Sequence, residues 1–156
     1  MLADSLTVAL LWVGAMVLAA RWTRSWKIPV FLLVAIGGEK LTYLLTSIVV
    51  GRPRPPVPPL GEVYATNSFP SGHVGSAIVL YGGLVAAALW HDESVRRRTR
   101  PVALRVGLTL SVVAITAVVG FSRLYRGHHF VSDVVWGIVL GVAWLAFAYR
   151  LVLRDR

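Results

Sequence analysis

Five stretches of this chain, at 5–20, 28–50, 72–90, 102–121 and 131–149, are apolar almost from end to end. Each is close to the roughly 20 residues that a helix needs to cross the hydrocarbon core of a bilayer. Inside a membrane the backbone must satisfy its own hydrogen bonds, so runs this long are helical; barrel strands would be shorter and alternating. The predicted architecture is all-α, a polytopic bundle of five transmembrane helices making one integral membrane domain over residues 1–156. Composition agrees: 56% of the residues are hydrophobic and 15% charged, too few charges to cover a water-exposed globule. The same figures exclude disorder and an ordinary nucleic-acid-binding domain. There is no cysteine, which excludes disulfides, thiolate metal sites and cysteine nucleophiles.

The formal net charge of +9 is read as membrane topology rather than as the mark of a polyanionic partner. Five spans place alternate loops on opposite sides. One side receives Arg21, Arg24, Lys27, Arg96, Arg97, Arg98, Arg100, Arg105, Arg150, Arg154 and Arg156; the other receives Arg52, Arg54, Arg123 and Arg126. The first set belongs in the cytoplasm, which puts loops 51–71 and 122–130 on the outer face of the cytoplasmic membrane. The first run has Asp4 and no basic residue before it, so it is read as a span and not a signal peptide. This parity leaves Met1 outside, and points either to a further helix upstream or to insertion with the N-terminus out.

The two outer loops hold the polar residues that need a chemical explanation. Arg54, in a proline-rich stretch, and Arg123 are planar donors suited to bidentate recognition of an oxyanion. Ser71 and Gly72 open a helix whose free N–H groups and positive dipole end favour an anion. Asp133 follows His129 by four residues, so on a helix the two share a face; the carboxylate would accept Nδ1–H and leave Nε2 as a nucleophile. His73, on another helix, is then free to protonate a departing oxygen. His128 is five residues from Asp133 and is read as a local or interfacial hydrogen-bonding group. Mid-span Glu39 and Lys40 are read as structural: Glu39 reaching Tyr43, Lys40 facing another side, and each bonding across helices. Gly137 and Gly141 form a GxxxG pair that signals close helix packing. Imidazoles and a carboxylate also suit a metal, but a cation would repel the two arginines that an anion explains, so no metal or other cofactor is expected.

Three blocks carry a family resemblance: Arg54-Pro55; Pro70-Ser71-Gly72-His73; and Ser122-Arg123, followed after five residues by His129 and after three more by Asp133. In this order and spacing the chain resembles the type 2 phosphatidic acid phosphatase (PAP2) superfamily, which shares its helical core with vanadium haloperoxidases. The resemblance implies a metal-independent lipid-phosphate phosphatase in which His129 forms a phosphohistidine and His73 protonates the leaving oxygen. Asp133 would orient His129, and Arg54, Arg123, Ser71 and Gly72 would hold the phosphate. The family's lysine, seven residues before the arginine of its first block, is replaced here by Ser47; Ser47 and Arg52 are the accessory phosphate contacts. The implied partners are the bilayer and a lipid phosphate: undecaprenyl diphosphate, phosphatidic acid or phosphatidylglycerol phosphate, with the resemblance leaning toward the first. Two rival readings are an intramembrane serine protease using Ser71 with His129, and a non-catalytic module that binds or transports lipid phosphate.

Overall fold

The computed structural model describes residues 14, 16–18, 20–21, 23–61, 66–94 and 99–154. Four long helices carry the fold: α1 (Lys27–Val50), α2 (Gly72–Glu93), α3 (Val102–Tyr125) and α4 (Val131–Leu153). All four are long and apolar enough to cross a membrane, and this is a multi-pass membrane protein. The first expected span, 5–20, falls largely outside the described residues; Gly14, Met16, Val17, Leu18 and Ala20 within it are helical.

Helix α4 packs against both α1 and α2, while α3 lies against α2 at the edge of the bundle. Large apolar side chains on α3, such as Leu110, Val113 and Val118, point outward. In water this would be a liability, but lipid tails are as apolar as leucine, so the bundle needs close fit rather than burial to hold together. That fit comes from glycine. A Cβ on Gly137 would stand 2.6 Å from the Ser71 carbonyl oxygen, and one on Gly141 would stand 2.8 Å from that of Gly75. The GxxxG pair therefore lets α4 touch the backbone of α2 just where α2 begins. At the opposite end, Arg100 Nε donates to Asp92 at 2.6 Å and Arg105 pairs with Glu93, tying α2 to α3. The buried core between these ends contains Phe31, Leu32, Ala35, Val79 and Ala148.

The obstructing atom at Gly137 is backbone, which has no rotamer to yield. Gly137→Ala is expected to push α2 and α4 apart and to cost about 1–3 kcal/mol. Gly107→Ala, where a Cβ meets nothing within 4 Å, is the control. Thermal unfolding in detergent should show a lower midpoint for the first and no loss for the second.

One boundary departs from expectation. Ser122 and Arg123 were predicted in a loop, but α3 continues through Tyr125 and stops just before Gly127, which takes φ 68°. Arg123 thus projects from the last turn of a helix and shares its rigidity.

Candidate active site

One end of the bundle is assembled around residues 51–61 and 66–71, which fold back over the helix ends. Gly51, at φ 59°, terminates α1. From there Ser68 N–H donates to the Arg52 carbonyl at 2.8 Å, Asn67 Nδ2 to the Ser47 carbonyl at 2.8 Å, and Leu60 N–H to the Arg126 carbonyl at 3.1 Å. The two polar connections, 51–71 and 126–130, therefore meet at one end of the molecule, as their parity required.

Asp133 is the hub of that meeting. It is fully buried. Its Oδ1 accepts from Arg52 Nη1 at 2.8 Å; its Oδ2 accepts from the Phe130 N–H at 2.9 Å and from Ser68 Oγ. Its backbone carbonyl accepts the Ser71 N–H at 2.9 Å. One residue thus caps the first turn of α4, neutralises a guanidinium and holds the start of α2. Arg52 is committed to this hub: the same Nη1 donates to Ser132 Oγ at 2.7 Å, and its guanidinium lies over the Phe130 ring at 4.2 Å. Expected as an accessory phosphate contact, Arg52 is engaged through Nη1 as a clamp on Asp133, because a buried carboxylate needs a countercharge.

His129 is buried beside the hub, and its orientation corrects a second expectation. Nδ1 is 2.7 Å from the Ser68 carbonyl oxygen and 3.7 Å from Asp133 Oδ2. A carbonyl oxygen only accepts, so Nδ1 carries the proton and Nε2 keeps its lone pair. The expected outcome for Nε2 stands, but the group that aims the ring is backbone, and Asp133 acts on it through space.

Further donors gather at this end of the bundle. Arg54 Nη1 donates to the His128 carbonyl at 2.7 Å and Nη2 to the Thr66 carbonyl at 3.1 Å, while its Nε is buried without a hydrogen-bond partner. Ser71 is the N-cap of α2, 1% exposed, and its Oγ has no partner either. Gly72 follows directly; a Cβ there would stand 2.8 Å from the Tyr43 ring, so a larger residue would have to displace that ring. The charges of Arg123 and His129 both bear on His73, which places the second imidazole within the same field. Ser47 is buried and lends its carbonyl to Asn67. Among the described residues no three His, Asp or Glu side chains come together as a metal-ligand set.

A family model described as the PAP2 superfamily matches residues 28–156. The chain belongs to that superfamily. Phosphatidylglycerophosphatase B of Bacillus subtilis (strain 168) is 31% identical over 121 residues, 78% of this chain and 56% of that protein. The chain thus spans little more than half the length of that relative. The crystal structure of the first transmembrane PAP2 type phosphatidylglycerolphosphate phosphatase from Bacillus subtilis aligns with a TM-score of 0.76 at 23% identity, over 99% of this chain and 71% of that one. That likeness shows a shared fold.

The three PAP2 blocks therefore converge as their order suggested, while Asn67, Ser68 and Thr66, which brace the site, had no local signature. His128, next to the proposed nucleophile, is buried and bonds to the Leu60 backbone, a partner distant along the chain and not the local one expected. Burial, with the Arg54 charge added, holds the His129 imidazole below its ordinary 6.5, against the opposing pull of the Ser68 carbonyl and Asp133. The ring is thus neutral at pH 7. Protonation takes the Nε2 lone pair, so reactivity should be present above the folded pKa and lost as pH falls through it. Because the unfolded chain binds that proton at about 6.5, acidification below this value also destabilises the fold. An NMR titration of ¹³C-labelled histidine, assigned with His129→Gln, should give a midpoint below 6.5; one above it contradicts the argument.

Proposed function

We propose that this PAP2 protein is a lipid-phosphate phosphatase working through a phosphohistidine. The observation that carries the reading is the pairing of a ring whose Nδ1 is tied to the Ser68 carbonyl with buried donors, Ser71 Oγ and Arg54 Nε, that have no acceptor in the protein. An unsatisfied buried donor costs about 1–3 kcal/mol, which a phosphate oxygen would return. His129 Nε2 attacks phosphorus while the bond to the leaving oxygen breaks, and His73 gives that oxygen its proton. Water, deprotonated by His73, then displaces the imidazole and releases phosphate. Arg54, Arg123, Ser71 and the N–H groups of Gly72 and His73 hold the three oxygens over which charge spreads in the transition state. No step needs a metal.

The excess of basic residues on the opposite loops supports an active site on the extracytoplasmic side of the cytoplasmic membrane. Similarity to a phosphatidylglycerophosphatase makes phosphatidylglycerol phosphate the first substrate to try, ahead of the prenyl diphosphate and phosphatidic acid. The serine protease reading lacks its dyad, since Ser71 Oγ makes no hydrogen bond to an imidazole. Purified protein in detergent with EDTA should release inorganic phosphate from one or more of these lipids. Binding without turnover would favour the non-catalytic module, and loss of activity with EDTA would restore a metal.

A further inference from the structure

Glu39 and Lys40 lie inside α1, and they do not point apart as their positions suggested. Both turn toward Ser76 on α2: Lys40 Nζ donates to Ser76 Oγ, and Ser76 Oγ lies 3.4 Å from Glu39 Oε2. Glu39 is fully buried, and it meets Ser76 rather than Tyr43. Gly75 makes room for its Oε1, which has no hydrogen-bond partner. The Lys40 ammonium is 3.7 Å from Glu39 Oε2, 5.4 Å from the centre of the Tyr43 ring, and on a side chain 46% exposed.

A charged side chain left about half exposed within a span is costly, by about 2.5–3.5 kcal/mol at a helix centre. Neutralising Glu39 alone would be better served by turning the cation inward, onto the oxygen that has no partner. Its position relative to the reaction is informative. Ser76 follows His73 by three residues, about 4.5 Å along α2 toward the bilayer centre. The charge of Lys40 bears on His73. A lipid's tails must run from the reacting phosphate toward the bilayer centre, and its leaving oxygen must face His73. Whatever lies between that oxygen and the tails passes the level of Lys40.

We infer that Lys40 binds a second, non-reacting phosphate of the substrate, located between the scissile bond and the lipid tails. The inference rests on the phosphatase reading above and narrows its substrate class to lipids with two phosphates. The phosphodiester of phosphatidylglycerol phosphate and the inner phosphate of a prenyl diphosphate share that chemistry. Phosphatidic acid and a prenyl monophosphate lack it.

The test is a selectivity ratio, kcat/KM for the two-phosphate lipid divided by kcat/KM for its one-phosphate counterpart, measured in detergent for both pairs. Lys40→Met should lower the ratio about tenfold, as expected for one charge-assisted hydrogen bond, and Lys40→Arg should restore most of it. Because Lys40→Met leaves Glu39 without its countercharge, Glu39→Gln/Lys40→Met is tested alongside as a neutral pair, with thermal unfolding to confirm folding. The same fall in the double variant supports the inference, and the pair in which it occurs identifies the source of the phosphate. A ratio within about twofold of wild type in the folded variants overturns it, even if both rates fall, and leaves the phosphatase standing. Failure of the wild-type protein to turn over any of the four lipids overturns the phosphatase reading and this inference together.

Discussion

His129→Ala is expected to lower phosphate release by about 10⁴-fold or more while the protein still folds. The loss is large because no neighbour can take over the attack. His128 is turned toward Leu60, and the 73 imidazole is needed on the leaving-group side. The diagnostic measurement is rapid quenching with ³²P-labelled substrate. Wild-type protein should carry acid-labile, base-stable label, as a phosphoramidate does, and His129→Ala should carry none. Label that survives in His129→Ala would move the nucleophile elsewhere. A folded His129→Ala that retains more than about a tenth of the wild-type rate would remove the covalent mechanism.

Asp133→Ala should have the second-largest effect, and it should differ in kind. The carboxylate joins Arg52, Ser68 and the N–H of Phe130, so its removal takes partners from three segments at once. Breaking a fully buried pair typically costs about 3–5 kcal/mol; Arg52 is about a third exposed and regains some hydration, so about 2–3 kcal/mol is expected here. A direct hydrogen bond to Nδ1 would make Asp133→Ala mainly a defect in turnover with normal stability. The hub geometry predicts a lower unfolding midpoint together with reduced turnover, and Asp133→Asn, which keeps one acceptor oxygen, should be intermediate in both. Normal stability with lost turnover would return the carboxylate to the imidazole.

The four described helices were legible because a bilayer imposes a length that apolar runs display openly. The GxxxG pair was legible for a related reason: close helix approach in lipid requires small residues, and Gly137 and Gly141 meet backbone carbonyls. The end of α3 was not legible. Ser122, Arg123 and Tyr125 look like loop residues, yet a helix end at a membrane surface tolerates polar side chains, and only the positive φ of Gly127 stops it. Spacing placed His129 and Asp133 on one face but did not reveal which acceptor Nδ1 would choose. That acceptor is a main-chain oxygen 61 residues away, and a carbonyl has no letter in the sequence. The clamp that Arg52 forms was hidden for a similar reason, since its partners at 132 and 133 are distant along the chain. Glu39 and Lys40 were rightly expected to bond across helices, but their convergence on Ser76 depends on the niche at Gly75, which only the packing of α1 on α2 creates.

The Ser68 carbonyl has a consequence for how this protein tolerates sequence drift. Any amino acid placed at 68 brings a carbonyl oxygen with it, so point changes there strip away a hydroxyl and spare the imidazole's anchor. The alignment of the His129 ring is inherited from the route of the main chain. It can be lost only by rerouting the segment, through insertion, deletion or a proline that redirects the turn, and random substitution seldom supplies those.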